Sequence, residues 1–172
     1  KTAPWKIVKT KHDVLDFGLP CVLKASNGGS SKEVILLRHT KDFNEEFENL
    51  LNSKMPLFVE KLLTGTEVTV GILNGKVLPI IEIIPPTGQW FSYENKYTST
   101  IKEIPFTPSV NKNIQKELEK ITLKITNELN LGNYLRIDYM ISVNIPYALD
   151  VNTIPGLTAE SLMPKAAKAT GM

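Results

Sequence analysis

Three side chains combine hard oxygen ligands with a spacing able to bring them together. Asp138 lies in the alternating run Tyr134-Leu135-Arg136-Ile137-Asp138-Tyr139-Met140, while Asp150 and Asn152 stand two apart in Tyr147-Ala148-Leu149-Asp150-Val151-Asn152. Both runs alternate as strands do, and a period of two puts Asp150 and Asn152 on one face. Asn144 falls in the turn between them, so the strands read as a hairpin, and with suitable register all three side chains meet. Two carboxylates and an amide suit Mg²⁺, which takes oxygen ligands together with substrate phosphates, and suit zinc poorly. Close carboxylates need a compensating cation or proton; a solvated sheet face with scattered acids is the competing reading. Arg136 precedes Asp138 by two and shares its face. It would there stabilise charge on a phosphoryl group in transfer, or make an ordinary salt bridge to Asp138.

Other groups could serve the same chemistry. Lys24 precedes Ser26-Asn27-Gly28-Gly29-Ser30-Ser31, whose backbone N–H groups could surround phosphates as a nest does. No Gly-Lys-Ser/Thr closes this loop, so it is not the Walker pattern, and a plain flexible turn is its bland alternative. Glu60 and Glu67 flank Lys61-Leu62-Leu63-Thr64-Gly65-Thr66, where a carboxylate could accept from a sugar hydroxyl and the leucines wall off a base. Lys96-Tyr97 sits in a loop-like stretch from Pro85 to Pro108, longer than most structureless connections and therefore a candidate lid. Gly156 follows Asn152 closely and permits a backbone N–H to approach an oxyanion. Ser161 and the helix start after it are placed to hold a carboxylate. His12 and His39 have no ligand company, and Cys21, inside a strand, reads as core rather than nucleophile.

The elements that must position these groups follow from periodicity. Pro20–Lys24, Val34–Leu37 and Phe58–Leu63 read as strands, with a helix capped by Asp42 carrying Phe43, Phe47, Leu50 and Leu51 on one face. This is a small α+β unit ending near Leu63. Beyond it, Glu67–Leu73 and Val77–Ile83 flank Asn74-Gly75, a strong hairpin signal. Asn111–Leu129 is the clearest helix, its Ile114, Leu118, Ile121 and Ile125 recurring at spacings of four, three and four. A last helix starts after Ser161 or near Pro164.

Composition bounds the rest. With 172 residues and 20 Lys and Arg against 18 Asp and Glu, the chain has a formal charge of +2, too balanced for a nucleic-acid binder. One cysteine excludes an intramolecular disulfide and a Cys-rich metal site. No apolar run approaches the ~20 residues that span a bilayer, and a soluble intracellular protein is expected. The ends suggest a fragment of a longer chain.

Arg136-Ile137-Asp138, Asp150-Val151-Asn152-Thr153-Ile154-Pro155-Gly156 and Ser161-Leu162, with Lys24–Ser31, Glu60–Val70, Pro79–Pro86 and Lys96-Tyr97, occur in an order that resembles the D-alanine–D-alanine ligases of the ATP-grasp superfamily. The resemblance covers nearly the whole chain. It implies an α+β, ATP-grasp fold of two lobes with nucleotide between them: a central lobe over 1–63 and a C-terminal lobe over 64–172, with an omega loop near 85–108. By the same resemblance, this chain is expected to lack the family's N-terminal substrate domain. Residue by residue, it assigns Lys24 to phosphate, Ser30 and Ser31 to the mobile phosphate loop, and Glu60, Lys61, Leu62 and Leu63 to the adenine. Glu67 matches the ribose ligand, Lys96 and Tyr97 the closing loop, and Arg136 the catalytic arginine. Asp138, Asp150 and Asn152 match the magnesium ligands. Gly156 matches a backbone contact to the reacting intermediate, and Ser161-Leu162 the segment holding the second substrate's carboxylate.

Two positions depart from the family pattern. Asp150 is commonly Glu, and Lys32-Glu33 replaces a Val-Gly-like continuation. The implied chemistry is ATP-dependent joining of two D-alanines through an acyl phosphate, with one or two Mg²⁺ ions (Mn²⁺ as substitute), in bacterial cytoplasm, for peptidoglycan precursors. Expected partners are D-alanine and ATP, with no nucleic acid and no membrane, and the parent protein as a homodimer. Two other readings stay open: an ATP-grasp ligase of another carboxylate and amine, and a nucleotide-binding fragment without turnover.

Overall fold

Alternation of apolar residues turns one side of each short strand toward a core, and the computed structural model, which describes residues 1–28, 33–85 and 101–172, arranges these strands in two sheets. The chain forms two compact units. Residues 3–28 and 33–63 contribute the described part of the first; residues 64–85 and 101–172, with Lys1 and Thr2, contribute that of the second.

The first unit has strands β1 (Trp5–Val8), β2 (Cys21–Ala25), β3 (Val34–Leu37) and β4 (Leu57–Lys61), with helices α1 (Lys11–Phe17) and α2 (Glu45–Leu51). The strands are antiparallel neighbours in the order β1-β4-β2-β3. Cys21, Leu23, Ile35, Leu37, Leu57 and Val59 point to one side and pack with Val14 of α1 and Phe47 and Leu50 of α2. The register places Trp5, Ile7, Val22, Lys24, Phe58 and Glu60 together on the opposite side. Helix α1 begins at a capping box, in which Thr10 and Asp13 satisfy each other's backbone N–H groups.

The cap expected from Asp42 belongs elsewhere. Asp42 accepts from the backbone N–H groups of Arg38 and His39 and closes a single 3₁₀ turn, Thr40–Asp42. Asn44 caps α2 instead, accepting from Phe47 N at 3.1 Å. Two short oxygen-bearing side chains two residues apart competed for the role, and the carboxylate found its donors upstream.

Cys21 is fully buried, as expected of a core thiol, and burial pushes its pKa from 9.0 to about 11. Above pH 9 the unfolded thiol ionises while the folded one keeps its proton, so this group's contribution to stability falls as pH rises from 9 to about 11. The loss amounts to roughly 3 kcal/mol across that window. Urea unfolding from pH 8 to 11 is expected to show a shallower decline for Cys21→Ala than for the wild type; parallel curves would contradict it.

The second unit is a six-stranded antiparallel sheet in the order β10-β9-β5-β7-β8, with the two-residue β6 (Lys76–Val77) beside β5. The strands are β5 (Thr66–Leu73), β7 (Ile81–Ile84), β8 (Lys102–Pro105), β9 (Tyr134–Ser142) and β10 (Ile145–Asn152). Helix α3 (Lys112–Glu128) starts at Asn111, whose side chain accepts from Asn113 N, and lays Ile114 and Leu118 on Val68, Val70, Leu135, Ile137 and Tyr139. Helix α4 (Leu162–Lys168) packs Leu162, Met163 and Ala166 on Leu78, Ile81 and Ile83. Since Ile81 and Ile83 pair opposite Thr69 and Glu67, α4 lies on the sheet's other face. Among the described residues no helix is long and apolar enough to cross a membrane.

Two expectations change here, and the expected hairpin turns stand. The strand expected over Val77–Ile83 is two pieces, β6 and β7, interrupted at Leu78-Pro79-Ile80; proline has no N–H to give the ladder. The stretch from Pro85 to Pro108 is not all loop, because Lys102–Pro105 pairs with β7 as an edge strand. Its charged residues hide the strand signal and suit an edge. The turns at Asn74-Gly75 and at Val143-Asn144 have positive φ at both central residues, as two-residue hairpins require.

Candidate phosphate and cation site

Alternation along β9 divides its side chains cleanly. Leu135, Ile137, Tyr139 and Ile141 are buried under α3, so Tyr134, Arg136, Asp138 and Met140 take the other face. Asp138 lies directly opposite Thr69 of β5 and Asp150 of β10, and Arg136 opposite Asn152. This depends on a bulge. Ala148 pairs with Tyr139, and simple alternation from there would set Leu149 against Asp138 and turn Asp150 and Asn152 toward α3. The register shift between Ala148 and Asp150 absorbs Leu149 and brings both side chains onto the face of Asp138.

Asp138 is buried, and its carboxylate is the hub of the cluster. Oδ1 accepts from Thr69 Oγ1 at 2.6 Å and Arg136 Nε at 2.8 Å; Oδ2 accepts from Arg136 Nη2 at 2.9 Å and Asn152 Nδ2 at 3.1 Å. The Arg136 contact is therefore a two-pronged salt bridge, the plainer of its two readings. Burial works to lower the Arg136 pKa, but hydrogen bonds to Asp138 and the charges of Asp138 and Asp150 outweigh it, and the value lies above the ordinary one. Asp150 is exposed, with Oδ1 accepting from Val151 N at 2.8 Å.

The donor set fits a hard divalent cation by its chemistry. Two carboxylates face each other across adjacent strands with a carboxamide beside them, and Arg136 alone leaves the trio one negative charge in excess. Among the described residues no group of three or more His, Cys, Asp or Glu gathers; this set has two acids and an amide. For Asp138 to ligate, the donors on Oδ2 must give way and Asn152 must present its oxygen.

The loop after β10 folds back on itself. Ser161 precedes α4 without capping it through its side chain; its hydroxyl pairs with Thr158 Oγ1 at 2.9 Å. A Cβ on Gly156 would stand 2.6 Å from Ser161 Oγ, so the glycine's backbone passes close to that hydroxyl. Leu162 buries its side chain in the core under α4, which leaves its backbone for any substrate contact. Glu67 lies half-buried on the same strand face as Thr69, two residues before it.

In the first unit, Lys24 Nζ stands 2.5 Å from Glu60 Oε1, and Glu60 is almost fully buried. Lys61 ends β4 with an exposed side chain, and its N–H donates to Pro4 O. Half-buried Leu62 and Leu63 follow it. Ser30, Ser31, Lys96 and Tyr97 lie outside the described residues. The structure thus brings together Arg136, Asp138, Asp150 and Asn152, separately Gly156 with Ser161, and separately Lys24 with Glu60.

Two contributors escaped the reading of motifs. Thr69 shows in sequence only as a hydroxyl two residues beyond Glu67 on a strand. Tyr134 donates from its hydroxyl to Pro155 O at 3.0 Å and tethers the Gly156 loop to the start of β9. Burial raises the Tyr134 pKa against the opposing pull of Arg136.

Residues 3–172 match the family model described as "D-ala D-ala ligase C-terminus". The chain is 33% identical over 177 residues to D-alanine–D-alanine ligase A of Clostridium perfringens, covering 100% of this chain and 58% of that protein. The crystal structure of D-alanine–D-alanine ligase from Bacillus anthracis superposes with a TM-score of 0.82 at 32% identity, over 99% of this chain and 57% of the other. A structure of the Bacillus anthracis enzyme complexed with ATP gives 0.78 at 27% identity, over 99% and 55%. The chain therefore spans under two thirds of the length of each of these relatives. Its two-sheet α+β architecture is the ATP-grasp fold of these structures. On the match that runs from residue 3 to the last residue, the chain belongs to the D-ala D-ala ligase C-terminus family.

Proposed function

We propose that this chain is the nucleotide- and magnesium-binding part, a central lobe over 1–63 and a C-terminal lobe over 64–172, of an ATP-dependent, ADP-forming D-alanine–D-alanine ligase. One observation carries the reading: Arg136, Asp138, Asp150 and Asn152 converge on one sheet face, placed there by the bulge at Leu149. Likeness to ligases of that name, and to one solved with ATP, supports the substrate.

In this reading Arg136 and Lys24 hold positive charge against the phosphates, where fixed charge stabilises what develops during transfer. Glu60 keeps Lys24 in place until phosphate competes for it. Glu60, Lys61, Leu62 and Leu63 receive the adenine, Glu67 the ribose, and Ser30 and Ser31 the terminal phosphates. Lys96 and Tyr97 close over the reacting groups and exclude water. Asp138, Asp150 and Asn152 would hold one or two Mg²⁺ ions, which supply Lewis-acid stabilisation of phosphoryl oxygens. The first D-alanine's carboxylate attacks the γ-phosphate and ADP leaves. The second D-alanine's amine then attacks the acyl phosphate, and phosphate leaves. Gly156 N–H faces the oxyanion, and Ser161-Leu162 holds the second carboxylate. The parent enzyme would act in bacterial cytoplasm as a homodimer and supply peptidoglycan precursors.

The test is D-alanine-dependent ADP release by the full-length parent protein, with D-alanyl-D-alanine as product. Arg136→Met is expected to lower kcat by about 10²–10³-fold. Preference for another carboxylate and amine, or nucleotide binding without ligation, would overturn the D-alanine assignment.

A further inference from the structure

We propose that Thr69 is a positioning residue for the cation site: its hydroxyl fixes Oδ1 of Asp138 and so turns Oδ2 toward Asp150 and Asn152. The inference rests on the proposed role of Asp138 as a cation ligand. Strand β9 runs between β5 and β10, so Asp138 has Thr69 on one side and Asp150 on the other, each in direct register. The Thr69–Asp138 hydrogen bond, at 2.6 Å, is shorter than the Arg136 and Asn152 contacts on this carboxylate. The same hydroxyl lies 3.4 Å from Ile137 O, a much longer alternative. A hydroxyl has one proton to give, and the ionised acceptor draws it.

Thr69 is buried, and branching at Cβ leaves it few rotamers, so the donor is fixed by strand and packing together. The two contacts on Oδ2 are of another kind. They come from Arg136 Nη2 and Asn152 Nδ2, polar ends of side chains that can turn aside, and both must leave that oxygen when a cation takes it. Thr69 holds Oδ1 throughout. Without it Oδ1 is left to Arg136, whose guanidinium already bonds both oxygens and can follow the carboxylate as it rotates, and the oxygen facing β10 is no longer preset. Partners of this kind, one bond removed from the metal, typically govern affinity by 10–100-fold.

The experiment titrates Mn²⁺ into this chain with ADP present, counting free Mn²⁺ by electron paramagnetic resonance. It compares wild type, Thr69→Val and Thr69→Ser below the onset of each one's thermal unfolding. Thr69→Val is expected to bind Mn²⁺ about tenfold or more weakly, and Thr69→Ser, which restores the hydroxyl, within about threefold of wild type. Should Thr69→Val unfold, Thr69→Ala against Thr69→Ser carries the same comparison. Wild-type affinity in Thr69→Val, or loss in Thr69→Ser as large as in Thr69→Val, would overturn the positioning role while leaving the cation site standing. Absence of Mn²⁺ binding by the wild type would overturn the site itself, and Thr69's role with it.

Discussion

Replacing Arg136 with Met is expected to lower the unfolding free energy of the second unit by about 3 kcal/mol, because it leaves Asp138 charged and buried without its cationic partner. Both side chains are nearly buried, with 13% and 12% of their surfaces exposed. The hydrogen bonds from Thr69 and Asn152 survive and keep the loss at the lower end of what broken buried pairs cost. Methionine keeps most of the arginine's aliphatic stem, so lost packing contributes little. A second change, Asp138→Asn in the Arg136→Met background, removes the stranded charge and is expected to restore part of the stability. Chemical denaturation of the three proteins measures this. An Arg136→Met variant within about 0.5 kcal/mol of wild type, the range of ordinary surface changes, would mean the pair is not holding Asp138.

Gly65→Ala is expected to be more severe, costing about 4 kcal/mol or more and leaving the second unit largely unfolded at 37 °C. Gly65 has φ +154, and a Cβ there would lie 1.9 Å from the carbonyl oxygen of Ile141 and 2.8 Å from its carbon. The obstacle is backbone in β9, not the end of a side chain that can swing away. Gly65 leads directly into Thr66, which pairs with Ile141 at the start of the β5–β9 ladder. Relief would require those two strands to part where Thr69 and Asp138 depend on their register. Circular dichroism melting of the variant reports it; a melting temperature near the wild type's would contradict the packing at that corner.

Much of this fold was legible, and the failures have physical reasons. Helix α3 declared itself because its apolar residues recur with the helical period and its exposed face is charged. The hairpins at Asn74-Gly75 and Asn144 were readable from residues that accept positive φ. Strand β1 and helix α1 leave little periodic signal in the sequence, although Thr10 and Asp13 form a capping box with its sequence signature intact. Their apolar residues are few and β1 is exposed at Trp5 and Ile7, so the usual alternation of burial is weak. Strand β8 escaped because an edge strand of Lys102-Glu103-Ile104-Pro105 pairs through its backbone, which composition does not report.

At the site, residue types and spacing are enough to group Asp138, Asp150, Asn152 and Arg136, while their mutual contacts depend on how the strands pair. Period two says that Asp150 and Asn152 share a face but not which one. The bulge at Leu149 decides that, and no residue type announces it. Nor does sequence spacing disclose that four donors surround the Asp138 carboxylate, or that a threonine 69 positions earlier supplies one of them. Contacts between distant strands depend on register, and register is a property of the whole sheet.

The proposed function requires that Asp138, Asp150 and Asn152 join ATP to this chain through a divalent cation. Calorimetric titration of ATP into the chain, with Mg²⁺ and with EDTA, measures that linkage. One nucleotide per chain is expected, bound about tenfold or more tightly with Mg²⁺, with an advantage that disappears in Asp138→Asn and Asp150→Asn. Equal affinity with and without Mg²⁺, or a Mg²⁺ effect that survives both substitutions, would contradict it.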